Sequence, residues 1–189
     1  MTHAEINNIC NYYNIRNYKI NKDGSIDVNG NVDLNAIGGF INLKIPSLYK
    51  FPLTFNNVSG YFNCYGNNLE SLEGGPKYVG GNFFCNTNIL SSLKYSPEII
   101  NGNFYCQYNG ITSLYNMPIV RGDLYIAMNP ISYIYNDFIK TPENIESFNE
   151  FKIIEDRNIH FKRLNAYIEM NNLNKVNIDA LIKIGYKII

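Results

Sequence analysis

Residues 60–134 carry one pattern four times. With Gly60, Gly81, Gly102 and Gly122 in register, the units read "GYFNCYGNNLESL", "GNFFCNTNILSSL", "GNFYCQYNGITSL" and "GDLYIAMNPISYI", spaced by 21, 21 and 20 residues. Two places after each glycine stands an apolar residue (Phe62, Phe83, Phe104, Leu124), and two further on a second one (Cys64, Cys85, Cys106, Ile126). Asn67, Asn88, Asn109 or Asn129 comes three residues later. Aliphatics follow at Leu69, Leu90, Ile111 and Ile131, then at Leu72, Leu93, Leu114 and Ile134, and Pro76, Pro97 and Pro118 close the first three units. A unit this short cannot bury its apolar face alone, but stacked neighbours bury it for one another, so the pattern demands a solenoid with covered ends.

Alternation within "YFNCY" predicts a short strand that sends Phe62 and Cys64 inward and Tyr61, Asn63 and Tyr65 outward. The asparagine is expected to face inward at the corner after the strand. There its amide satisfies backbone groups that no strand ladder reaches, with asparagines of successive coils bonding in a row.

As a template the four units read L-x-L-x-x-N-x-L-x-x-L, which resembles the leucine-rich repeat. The near-copy "SLEGGPKYVGGNFFCN", with Cys at the second inward position and Pro after the last Leu, resembles the short repeats of bacterial and tailed-phage proteins. The resemblance covers about 75 residues. It implies an α/β solenoid, a leucine-rich-repeat-like parallel sheet of short coils with a helical N-terminal cap and a small α+β C-terminal cap. It also implies a non-enzymatic interaction protein of a bacterium or phage. For a phage protein, one job would be to bind and block a host protein, an immune component included, in the host cytoplasm.

The segments expected are an N-terminal helical cap over residues 1–22, a solenoid over 23–135 with clear coils from 60, and the C-terminal cap over 136–189. In "THAEINNICNYY", Ile6, Ile9, Cys10 and Tyr13 fall at helical spacing behind Thr2 as N-cap, with Glu5 three residues on. "GSIDVNGNVDL" alternates at period two and predicts short strands entering the solenoid. "GNVDLNAIGGFINLKIP" has Val32 and Leu34 in place and Pro46 at the repeat's offset, but lacks the asparagine; it is expected to be a capping coil. "NLKIPSLYKFPLTFNNV" departs from the repeat. Past Tyr135, Thr141 and Pro142 signal a helix start, with Ile145 and Phe148 on one face. Ile153 and Ile154 read as extended, and Phe161, Leu164 and Ile168 as one helical face ahead of "GYKII".

The rival reading of Cys85 is a three-thiolate metal site with Cys64 and Cys106. Thiols on successive rungs would lie about 4.8 Å apart in a line, whereas zinc takes ligands about 2.3 Å from one tetrahedral centre. There is no CxxC pair, and Ile126 takes the fourth position, so core packing is expected. No cofactor is implied. The N-terminal stretch shows neither the basic nor the apolar region of a signal peptide, and free thiols in an intracellular, cytoplasmic chain are expected.

Sixteen basic residues balance 16 acidic ones, which argues against nucleic acid as partner. No apolar run reaches the roughly 20 residues that would span a bilayer. The 32 asparagines are interleaved with apolar residues, unlike a low-complexity polar tract. His3 and His160 are the only histidines, and no nucleophile–base spacing can be assembled from them. His160 beside Glu155 and Asp156 is the nearest approach to acid–base chemistry.

The outward strand positions are the candidate binding face: Tyr61, Asn63 and Tyr65; Asn82, Phe84 and Asn86; Asn103, Tyr105 and Gln107; Asp123, Tyr125 and Ala127. Phe84, Tyr105 and Tyr125 fall in one column, with Tyr108 and Met128 at the following corner. Such a surface, aromatic and amide-rich but poor in Lys and Glu, has the composition of protein interfaces, although aromatics also suit strands for packing reasons alone. The expected partner is a protein or peptide. The alternatives are a nucleotide or sugar stacked on the column, marked by a deep pocket with convergent Arg or Lys, and self-association into a homo-oligomer.

Overall fold

The computed structural model describes residues 1–35, 47–134, 147–155, 157–171, 173 and 176–189. Thr141, Pro142, Ile145, Pro46 and Asp156, which entered the expectations above, lie outside the described residues.

The chain winds as a repeat solenoid with two parallel sheets. One sheet contains β3 (Val32–Asp33), β5 (Phe62–Asn63), β7 (Phe83–Phe84), β9 (Phe104–Tyr105) and β11 (Leu124–Tyr125), stacked in that order. Its register pairs Val32, Phe62, Phe83, Phe104 and Leu124 in line, so the coil beginning at Gly30 joins the ladder in register with the four clear ones. The other sheet runs β1 (Tyr18–Ile20), β2 (Ile26–Val28), β4 (Phe55–Val58), β6 (Tyr78–Val79), β8 (Ile99–Ile100) and β10 (Ile119–Val120). Its pairings are parallel except for the β1–β2 hairpin.

This second sheet is an addition to the single sheet expected. Its inward residues, Val58, Val79, Ile100 and Val120, stand two places before each glycine. The glycines make the bend between the sheets. They stack so closely that Gly102 N donates to Gly81 O at 3.0 Å, and a Cβ on Gly102 would fall 2.7 Å from that oxygen. Only glycine allows backbones to approach this far.

Inside the coil, Phe62, Phe83 and Phe104 form a fully buried aromatic row with ring centroids 5.7 and 5.6 Å apart. Cys64, Cys85 and Cys106 line up beside it as free thiols without exposure. Burial pushes each thiol well above its ordinary pKa, so the inert S–H form persists at neutral pH. Cys64 Sγ and Cys106 Sγ approach the carbonyls of Phe84 and Tyr125 at 3.2 and 3.4 Å. The cysteines are therefore small core residues. Among the described residues no three His, Cys, Asp or Glu side chains gather as a metal site requires.

The corner asparagines fasten coil to coil. Asn88 Nδ2 donates to Cys64 O and Cys85 O at 3.0 and 3.1 Å, and its Oδ1 accepts from Leu69 N at 2.9 Å. Asn67, Asn109 and Asn129 repeat the arrangement with their own neighbours. The expected side-chain row is thus corrected: each amide bonds backbone of its own and the preceding coil, not the next asparagine.

The residue before each corner asparagine is left-handed: Gly66, Thr87, Tyr108 and Met128, at φ of 69°, 55°, 54° and 59°. Glycine adopts this conformation freely, whereas a β-branched residue is strained there. We expect Thr87→Gly to stabilise the fold by about 0.5–1 kcal/mol, the relieved strain outweighing glycine's greater freedom in the unfolded chain. A rise in the urea midpoint checks this; a fall would mean that the corner carries no strain.

Helix α1 (His3–Tyr12) begins with the expected capping box, Thr2 N donating to Glu5 Oε2 at 2.7 Å and Glu5 N to Thr2 Oγ1 at 3.3 Å. Its buried Ile6 and Cys10 join the core, while Ile9 and Tyr13 pack partly against it. At the other end a three-stranded sheet, β12 (Ile154–Glu155), β13 (Asn158–Ile159) and β14 (Lys187–Ile188), accompanies helices α2 (Phe161–Met170) and α3 (Ile178–Lys183). In α2 the buried face is Leu164, Tyr167 and Ile168; Phe161, expected on it, is exposed. This cap is tied to the coils by Tyr186 Oη donating to Thr112 O at 2.7 Å and Asn149 Nδ2 to Leu114 O at 3.1 Å.

Candidate binding face

Because the strands of the β3–β11 sheet are parallel and in register, equivalent outward residues stack into columns. The middle column runs Asp33, Asn63, Phe84, Tyr105, Tyr125. Its three aromatic rings lie face to face: Phe84 and Tyr105 have centroids 4.7 Å apart at 11°, and Tyr105 and Tyr125 4.5 Å apart at 4°. That is close to the rung spacing of about 4.8 Å, so the backbone itself sets the stack. Tyr61, from the neighbouring column, meets Phe84 edge-on at 6.4 Å. Of the aromatic positions read from alternation, Phe84, Tyr105 and Tyr125 are therefore brought together in one row, with Tyr61 and Tyr65 in the columns beside it.

The polar positions divide into two groups. Asn63, Asn103 and Asp123 are engaged within the sheet. Asn63 Nδ2 donates to Asp33 Oδ1 at 3.1 Å, and Asn63 Oδ1 accepts from Tyr65 N at 3.0 Å. Asn103 Oδ1 accepts from Asp123 N at 2.8 Å, and its Nδ2 donates to Tyr105 Oη at 3.1 Å. The Asp123 charge, with Tyr105 second, raises the Tyr125 phenol above its usual pKa. In the third column Tyr65 is half-buried. Asn35, Asn86 and Gln107 in that column hold side-chain carbonyl oxygens that are buried without any hydrogen-bond partner among the described residues. Acceptors shielded from water and left unbonded are uncommon in a finished fold.

Beyond the third column the left-handed corner turns side chains outward. Tyr108 and Met128 are 58% and 64% exposed, and Ile89, which sequence reading missed, is 52% exposed. Ile89 was legible only as an apolar residue one place after a corner asparagine, outside the inward pattern. The aromatic row and these corner residues thus flank the amide column on its two sides.

The histidine cluster has a different character. His160 Nε2 lies 3.2 Å from Glu155 Oε2, and Arg163 Nη1 3.5 Å from Glu155 Oε1. The hydrogen bond from His160 chiefly lowers the Glu155 pKa. Both pairs are at the surface of the cap. No helix among the described residues is long and apolar enough to cross a membrane.

Comparison with protein-family models, with curated proteins and with solved structures finds no match to this chain. Fold and face together define a class: a two-sheeted parallel repeat solenoid with a partly exposed aromatic row on the outer face of one sheet.

Proposed function

We propose that this chain is a non-enzymatic interaction protein of the short leucine-rich-repeat type, binding a partner protein or peptide on the β3–β11 sheet face. The observation that carries the reading is the Phe84–Tyr105–Tyr125 row, flanked across the amide column by the exposed Tyr108, Met128 and Ile89. The rings cover one another's faces, so along the row they offer edges and hydroxyls. That suits the side chains of a peptide or loop better than a stacked base or sugar.

Size shapes the partner. The exposed strand face offers roughly 200 Å², against about 800 Å² per partner in a standard interface. A peptide or projecting loop fits the face alone, and a larger partner also covers the corner residues. The likeness to short repeats of tailed-phage proteins extends the proposal to a host protein, an immune component included, as the target.

The test is capture from lysate by wild type beside a Phe84→Ala, Tyr105→Ala, Tyr125→Ala variant whose fold is checked by circular dichroism. The expected result is a protein held by wild type and lost, with at least about tenfold weaker affinity, by the variant, as for removal of central aromatic anchors. Equal capture by both would place binding elsewhere. A mass that rises with protein concentration, in place of capture, would assign the face to self-association.

A further inference from the structure

A cavity of about 890 Å³ lies between the solenoid and the C-terminal cap, away from the sheet face. Its coil side is formed by the residues either side of the second aliphatic, Leu93 or Leu114, of two successive repeats: Ser92, Lys94, Ser113 and Tyr115. Its cap side contributes Phe148, Ile153, Ile154, Lys152 and Arg157. The two sides are held together by the Tyr186–Thr112 and Asn149–Leu114 hydrogen bonds, so the space is built by docking of two units.

The charges in the lining are unbalanced. Among the described residues of the lining, Lys94, Lys152 and Arg157 stand against one carboxylate, Glu155. Glu155 is itself paired with His160 and Arg163, and among the described residues those are the only ion pairs. The three cations thus have no carboxylate partner among the described residues; Lys94 Nζ rests over the Tyr95 ring at 4.8 Å and Arg157 Nη1 donates to Ile184 O at 3.4 Å, contacts an anion would displace or share. Ser92 Oγ and Ser113 Oγ accept from Lys94 N and Tyr115 N at 3.4 and 3.1 Å, which leaves their O–H groups to donate. The lining also includes Tyr115 and Phe148 rings beside two isoleucines.

A lining of this kind, with cations from both coil and cap and hydroxyl donors beside an apolar wall, matches an anionic head joined to a flat apolar group. Arginine and lysine from separate elements suit phosphate oxygens, the guanidinium as a fork and the ammonium as a point charge. The volume falls in the range of about 300–1,000 Å³ typical of small-ligand sites. We propose that this cavity binds a nucleoside phosphate, the phosphates on Lys94, Lys152 and Arg157 and the base against the Tyr115–Phe148 side.

Calorimetric titration with ATP, adenosine and tripolyphosphate tests it. ATP should bind at least about tenfold more tightly than either part alone, and Lys152→Ala with Arg157→Ala should weaken it about 10–100-fold, as for lost charge-assisted hydrogen bonds. Lys94→Ala, on the solenoid side, should weaken it by a smaller factor and guards against damage to the cap. The Phe84→Ala, Tyr105→Ala, Tyr125→Ala variant should bind ATP as wild type does, which keeps this site separate from the sheet face. No saturable binding of ATP, tripolyphosphate bound as tightly as ATP, or indifference to the charge substitutions would each overturn the proposal.

Discussion

Asn88→Ala is expected to lower stability by about 2–4 kcal/mol: of the three buried backbone groups its amide bonds, Leu69 N is left without that acceptor at about 1–3 kcal/mol, while Cys64 O and Cys85 O each lose one of two amide donors and keep the other, from Asn67 and Asn109. All three groups lie within 3.1 Å of the amide. Two of the three belong to the preceding coil, so the substitution loosens a junction between coils as well as a corner. Asn88→Asp should be no milder, because it exchanges a donor for a charged acceptor beside two carbonyls. Two residues away, Asn86 provides the contrast. Its Oδ1 has no hydrogen-bond partner among the described residues, so Asn86→Ala should move stability by less than about 0.5 kcal/mol. Urea midpoints at unchanged slope measure both. Similar small losses at Asn86 and Asn88 would show that the corner amide is not the fastening between coils.

How far the fold could be read in advance follows from how many residues each feature uses. The inward positions were legible because each is marked by both type and period; Phe62, Cys64, Leu69 and Leu72 are all essentially buried, as are their counterparts in the next two coils. The aromatic row was legible for the same reason. The third unit loses its residue between Pro118 and Gly122, before the next strand of the face, so Tyr125 still aligns with Tyr105. The second sheet was not legible. Strands such as Tyr78–Val79 and Ile99–Ile100 are two residues long, too short for alternation to show, and their only trace is an aliphatic before the glycine bend. The left-handed corner was hidden because Thr87, Tyr108 and Met128 occupy it where only Gly66 advertises it. In the cap, the spacing of Phe161, Leu164 and Ile168 is helical, yet the docking of α2 selects Tyr167 over Phe161, a choice made by tertiary contacts with Phe148 and Phe151. The cavity beneath the cap could not be foreseen at all, since its two sides lie far apart in sequence.

Phe83→Ala should cost about 3–5 kcal/mol, as for other fully buried phenylalanines. Its ring is the middle member of the inward row, touching Phe62 on one side and Phe104 on the other. In a solenoid each coil is stabilised chiefly by its two neighbours, so a gap at the centre weakens two junctions, whereas a gap in a terminal coil weakens one. Leu124 occupies the same register position in the last of the four clear coils and is only half-buried. Leu124→Ala should accordingly cost about 1–2 kcal/mol, below the range for fully buried leucines. Hydrogen exchange should separate the two further. Phe83→Ala should speed exchange at the Cys64 and Cys85 amides, which bond across the central junctions, and Leu124→Ala should leave Cys64 protected. Because Phe84 follows Phe83 on the same two-residue strand, weakening that coil also disorders the outward aromatic row. Binding at the face should then fall in step with the population of the intact coil and recover at lower temperature or in stabilising osmolyte. A Phe84→Ala variant, which removes the contact and not the coil, would show no such recovery.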